Sequence, residues 1–116
     1  MSEFVTYLND MFERFGPIHA KRMFGGYGVY HKDLMFALVA DDVLYLKADA
    51  ESAAFFEQLG LTRFEYIKDG KMTRMSYYMA PEEIFDDADA AKVWAVRAYE
   101  AALRSKKPAT KSSEKK

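Results

Sequence analysis

A chain of 116 residues that is 50% hydrophobic has room for one core and too little length for two. It contains no cysteine, which excludes disulfide scaffolds, thiolate zinc centres, iron–sulfur clusters and thiol catalysis. Charges nearly cancel, 17 Lys and Arg against 18 Asp and Glu, and no apolar run approaches the roughly 20 residues of a membrane span. The start, Met1-Ser2-Glu3, lacks a signal-peptide pattern, so the expected compartment is the cytoplasm.

In residues 2–15, Phe4, Val5, Leu8, Met11, Phe12 and Phe15 recur on one helix face, and Gly16-Pro17 ends the segment. Strand character follows over 20–30, 35–40 and 43–47, joined at His31-Lys32-Asp33 and Asp41-Asp42. Connections this short require antiparallel neighbours, because a parallel crossover needs a dozen residues or more. Asp49 is placed to cap a helix over 50–59, with Ala53, Phe56 and Leu59, and Phe55 as a further candidate, facing inward and Gly60 as its stop. Two further strands, 63–67 and 71–79, flank Asp69-Gly70, a dipeptide that supplies the positive φ of a tight hairpin. Pro81 opens a short helical turn through residue 85. Asp86 or Asp87 then caps a last helix over 89–104, striped with Ala91, Trp94, Ala95, Ala98 and Ala102.

The order is helix, three strands, helix, two strands, helix. It predicts an α+β fold: a two-layer sandwich of a five-stranded antiparallel sheet with helices packed on it. Residues 1–104 form the expected domain. Residues 105–116 hold five lysines, Lys106, Lys107, Lys111, Lys115 and Lys116, one acid, and no hydrophobe larger than alanine, a composition that predicts a disordered tail. Without it the remainder has 12 basic and 17 acidic residues, opposite in sign to a nucleic-acid footprint. The tail lysines are candidates for weak phosphate contact.

Chemistry is sparse. Gly25-Gly26-Tyr27-Gly28 lies inside strand character with no Lys-Ser/Thr after it, so it reads as a bend or bulge approached closely by a backbone or ring, not as a phosphate loop. His19 and His31 have no companions at metal-ligand or catalytic spacing and read as loop residues. Glu82, Glu83, Asp86, Asp87 and Asp89 suit helix starts. Tyr77 and Tyr78 must point to opposite faces of their strand, so one is expected to face solvent or a partner.

Arg22-Met23-Phe24-Gly25-Gly26-Tyr27-Gly28-Val29-Tyr30, the run over 35–47, Met75-Ser76-Tyr77-Tyr78, Ala80-Pro81-Glu82-Glu83 and Asp86-Asp87 before Trp94-Ala95 resemble the N-terminal domain of the TfoX/Sxy family. The blocks keep the family's order and spacing across residues 21–104. The resemblance implies a bacterial competence regulator, a transcriptional co-activator that works with the cyclic-AMP receptor protein. It implies a fold similar to type III secretion chaperones, and no enzyme activity, cofactor, metal or membrane contact. Full-length regulators of this kind carry a second helical domain, whose place the Lys-rich tail takes here. Arg22, Tyr27, Arg74 and Tyr78 are the candidate partner-binding residues, with DNA contact indirect or confined to the tail. The other reading is a small homodimeric adaptor or chaperone-like module without a promoter role.

Overall fold

The computed structural model describes residues 3–23 and 26–106, with no side-chain description for 66, 68 and 72–74. Helix α1 (Glu3–Met11) leads into strands β1 (His19–Met23), β2 (Gly26–His31), β3 (Leu34–Ala40) and β4 (Val43–Lys47). A short α2 (Ala53–Glu57), the hairpin of β5 (Arg63–Lys68) and β6 (Lys71–Met79), a 3-10 turn (Glu82–Phe85) and α3 (Ala88–Lys106) complete it. The sheet is antiparallel, in the order β1-β2-β3-β4-β6-β5. The α+β class is as expected, but there are six strands where five were predicted. The stretch read as one strand over 20–30 is a hairpin in which Met23 pairs with Gly26.

Besides the β1–β2 hairpin, whose turn residues lie outside the described ones, three hairpins are closed by two residues each. Lys32 and Asp33 have φ of 51° and 66°, Asp41 and Asp42 of 52° and 59°, and Asp69 and Gly70 of 54° and 78°. Positive φ at both positions gives the strands the twist they need, and Asp tolerates this region better than most residues. Pairing is in register at each turn, His31 with Leu34, Ala40 with Val43, and Lys68 with Lys71.

All three helices contribute to one core against one face of the sheet. Leu8, Met11 and Phe12 of the α1 segment, Phe56 of α2, and Ala91, Trp94, Ala95, Ala98 and Ala102 of α3 meet Val29, Phe36, Val39, Leu44, Leu46 and Tyr78. The alanine stripe is buried as its spacing predicts, and small side chains there let α3 lie close on β3 and β4. Asp87 caps α3, its Oδ1 accepting from the Asp89 and Ala90 amides at 2.9 and 3.2 Å. Asp49 caps the turn before α2 in the same way, accepting from the Glu51 and Ser52 amides at 3.1 Å.

The α2 helix is half the predicted length. It stops at Glu57, and the Leu61 amide donates back to the Phe56 carbonyl as Gly60 turns at φ +74°. Leu59 therefore leaves the helix face and is 55% exposed, contrary to its predicted inward position, and Phe55, the further inward candidate, is also exposed, under the Arg97 guanidinium. Neither histidine is a loop residue, since His19 opens β1 and His31 ends β2. His31 is buried in a box of Phe15 and Tyr99, its Nδ1 2.7 Å from the Pro17 carbonyl oxygen.

Candidate functional site

Side chains alternate along a strand, so the register that places the core also defines what lies on the other face. Leu38 pairs with Tyr45 and Gly28, Tyr30 with His19 and Met35, Tyr45 with Met79, and Lys47 with Tyr77. This face carries Met23, Met35, Met75 and Met79 with Tyr30, Tyr45, Tyr77 and Leu38, and none of the described helices packs on it. Leu38 and Tyr77 are nonetheless only 5% and 6% exposed, and both stand outside the main core cluster. They are covered by neighbours on their own face.

That is possible because the sheet curls. Met23 on the edge strand β1 and Phe64 on the opposite edge strand β5 line one recess with Leu38, Tyr27 and Met75. In a flat sheet those edges would stand about 24 Å apart, five strand spacings. Phe64 also meets Tyr45 edge-on at 4.9 Å. The result is a concave, methionine- and aromatic-lined face. Gly28 admits it locally, its Cα facing the Met23 and Met35 sulfurs and the Tyr30 ring.

Two lysines sit on tyrosines of this face. The Lys21 ammonium lies 4.9 Å from the Tyr30 ring centre and that of Lys47 5.2 Å from Tyr77, a favourable cation–π placement. His19 stacks on Tyr30 with centroids 5.7 Å apart. Burial pulls the Lys47 ammonium below the ordinary lysine range, with Asp49 opposing. Burial pushes the Tyr77 hydroxyl up to about 12, with the Tyr30 phenol adding to it.

The four predicted contact residues separate. Arg22 is exposed on β1 and directly opposite half-buried Tyr27 on β2, so these two are brought together. Tyr27 pairs with core Val39 and packs against the core cluster, so Arg22 and Tyr27 share the helix-side parity, which Tyr78 on β6 also has without joining them. Tyr78 points into the helix side, stacks on Phe56 at 5.1 Å, and donates its hydroxyl to Glu57 Oε2 at 2.7 Å. Tyr77 and Tyr78 do point to opposite faces, Tyr77 to the helix-free one, but both are only 6% exposed and neither faces solvent. Arg74 pairs with Glu65 in the ladder, and its side chain lies outside the described residues. Of the tail lysines, Lys106 ends α3 and is exposed, while the others lie in 107–116, outside the described residues.

A recess of about 290 Å³ between α2 and the ends of β4, β5 and β6 is lined by Asp49, Glu57, Arg63, Ser76 and Tyr78. Its charges are engaged within the fold. Arg104 holds Asp49 through Nε and Nη2, and Glu57 accepts from Tyr78. The Arg104 hydrogen bond holds the Asp49 carboxyl down at about 2, against a partial opposing effect of burial. A carboxyl with its folded pKa depressed stabilises the fold above its unfolded value and loses that contribution as pH falls. We expect about 1 kcal/mol to disappear between pH 4 and pH 2, the partly exposed pair being screened by solvent. Urea midpoints across that range should show the loss, and the variant Asp49→Asn should lack this component of the pH dependence.

Three of the five acids at 82–89 have local partners. Glu83 accepts from the Trp94 indole at 2.8 Å, Asp87 caps α3, and Asp89 pairs with Arg14 at 2.6 Å. Among the described residues, no group of three or more His, Asp or Glu could hold a metal ion, and no helix is long and apolar enough to cross a membrane.

Known proteins match the same segment. The TfoX N-terminal domain profile aligns with residues 10–102. The DNA transformation protein TfoX1 of Aliivibrio fischeri is 34% identical over 82 residues, covering 67% of this chain and 39% of its own length. The protein Sxy of Escherichia coli is 31% identical over 70 residues, covering 60% and 34% respectively. The chain thus spans between a third and two fifths of the curated relatives it matches. The aligned segment contains the whole sheet, both faces and most of α3, and the chain belongs to the TfoX N-terminal domain family.

Proposed function

We propose that this chain is a cytoplasmic transcriptional regulator of the competence type, working by protein contact with a DNA-bound partner, the cyclic-AMP receptor protein. The working unit is residues 1–104, and 105–116 form a Lys-rich extension that adds salt-sensitive attraction to nearby DNA. The observation that carries the reading is the sheet face free of helices, lined by methionines and tyrosines, on a domain whose relatives include a DNA transformation protein. Polarizable, adaptable Met and amphipathic Tyr suit a surface that docks another protein. The role in this reading is binding, as the regulator names of the relatives suggest.

The test is fluorescence anisotropy of a labelled promoter fragment bearing a site for the receptor. The chain is titrated with and without the receptor and its nucleotide, beside a variant in which Lys107, Lys111, Lys115 and Lys116 are serine. A further rise only when the receptor is bound supports co-activation by contact. A rise on bare DNA that vanishes in the serine variant shows non-specific tail binding. No response in any arm refutes the co-activator reading.

A further inference from the structure

The sheet has two edge strands, and they differ. The ladder between β5 and β6 is broken by a register shift between Arg63 and Glu65. β1 pairs with β2 residue for residue, from His19 opposite Tyr30 to Met23 opposite Gly26. Its outer side therefore presents an unbroken row of alternate backbone N–H and C=O groups, with which no described strand pairs. His19, Lys21 and Arg22 are exposed, and Met23, the last residue, lines the recess shared with Phe64.

Between α1 and β1, on the helix side of the sheet, lies a recess of about 160 Å³. Buried Val5, Leu8 and Val29 form its floor, and half-buried Ile18 and Ala20 surround it with exposed Asn9. Ala20 pairs with core Val29, so Ala20 and Arg22 share the helix-side face and Lys21 between them takes the other. A strand added outside β1 repeats this alternation. Its residue opposite Ala20 turns toward the recess, the next stands beside Lys21, and the one after stands beside Arg22. An apolar cavity of about 150 Å³ takes up benzene, so this recess has room for one leucine side chain or phenyl ring.

Charge decides what can pair there. β1 carries Lys21, Arg22 and His19 and no acid, and β2 carries no Asp, Glu, Lys or Arg. On α1 the rim residue Asn9 is uncharged. Glu3 and Asp10 are turned about 100° or more around the helix from it, and Glu13 lies past the helix end. The chain's own 107–116 segment is lysine-rich and would meet like charge. A second copy joined edge to edge would set two basic strands against each other, since a two-fold interface repeats the same patch on both sides. We infer that β1 is a docking edge for an extended segment of a protein partner. The segment adds as a further strand, seats one apolar side chain between α1 and β1, and carries adjacent carboxylates opposite Lys21 and Arg22. In strand addition of this kind main-chain pairing supplies affinity and the side-chain pocket supplies selectivity. This surface is separate from the helix-free face and goes beyond the reading above, so the two stand or fall independently.

The experiment uses the full chain and fluorescein-labelled strand-forming peptides with a leucine next to two glutamates, in both chain directions, read by anisotropy. Twins carry alanine for the leucine, or glutamine or lysine for both glutamates. Two more are N-methylated on one or the other set of alternate backbone nitrogens, and labelled single-stranded DNA completes the set. We expect the alanine and glutamine twins each to bind about tenfold more weakly, a difference of about 1.4 kcal/mol. One N-methyl twin should lose binding and the other keep it, because only one set of amides faces β1. Amide exchange over residues 19–22 should slow in the complex. The Lys21→Glu, Arg22→Glu variant should prefer the lysine twin, an inversion that loss of folding cannot produce, and Lys92→Ala on α3 should leave every affinity unchanged. Equal binding of the leucine and alanine peptides overturns the seat between α1 and β1, and equal binding of the glutamate and glutamine peptides overturns the carboxylate preference. Undiminished binding of both N-methyl twins overturns strand addition. Absence of binding to any peptide at millimolar concentration overturns the docking edge. Tighter binding of the DNA, lost in the Lys21→Glu, Arg22→Glu variant, replaces it with a nucleic-acid surface. A dimer in sedimentation that the same variant dissolves replaces the partner with a second copy.

Discussion

Gly26→Ala is expected to be the most damaging single-methyl change in this protein, costing about 4 kcal/mol or more and leaving little folded material at 37 °C. An alanine Cβ built there would lie 2.0 Å from the Val39 carbonyl oxygen and 3.1 Å from its carbon. Both obstacles are backbone atoms, held in the ladder that pairs β2 with β3. Relief requires the two strands to part by more than about 1 Å, which breaks hydrogen bonds between β2 and β3. Gly28→Ala is the internal control. Its Cβ would meet the Met23 sulfur at 2.7 Å and the Met35 sulfur at 3.1 Å, both ends of flexible side chains that can swing aside. That change should cost about 1 kcal/mol, at the low end for overpacking. Urea unfolding followed by far-UV circular dichroism measures both, and similar midpoints for the two variants would show that close strand approach at Gly26 is not limiting.

The same glycine run shows what the sequence made legible. Gly26 and Gly28 are, as expected, places where a backbone or a ring comes close, and Gly25 lies outside the described residues. The chain reversal between Met23 and Gly26 was not legible, because glycines within an apolar run fit a bent single strand as well as a hairpin. The Asp41-Asp42 and Asp69-Gly70 turns were legible from their residues alone, since few pairs accept two successive positive φ values. The Ala-rich stripe of α3 was legible from its period.

The face opposite the helices was harder to foresee. Residues 34–40 are apolar throughout, so alternation gives no signal, and a register shift between Val29 and Tyr30 moves the boundary between the faces. Phe36 and Ala37 consequently both join the core, and only after that shift does Leu38 fall on the other side. Sequence reasoning therefore chose Tyr78, which is on the helix side, and passed over Lys47, Tyr30 and Met35. The acidic net charge hides a related split, averaging basic strands with acidic turns and helix caps.

Trp94→Ala is expected to cost about 3–5 kcal/mol, the range for truncating a large buried aromatic ring. Trp94 is 6% exposed, and its ring centre is 5.0 Å from that of Phe56, which itself stacks on Tyr78. This column ties α3 through α2 to β6. The five-residue α2 is too short to be stable by itself, so Phe56 is its principal anchor in the core. Removing the indole takes away one wall of that anchor. Amide exchange over residues 53–57 should accelerate more than exchange over β3. Trp94→Phe separates packing from hydrogen bonding. It keeps a ring against Phe56 and gives up the bond from the indole to Glu83, whose carboxylate is exposed and returns to water. A cost of about 1 kcal/mol follows, because no charge is left buried without a partner. Circular dichroism must follow these variants, since Trp94 is the chain's single tryptophan. Equal losses in Trp94→Phe and Trp94→Ala would place the anchoring in the Glu83 bond and not in the aromatic column.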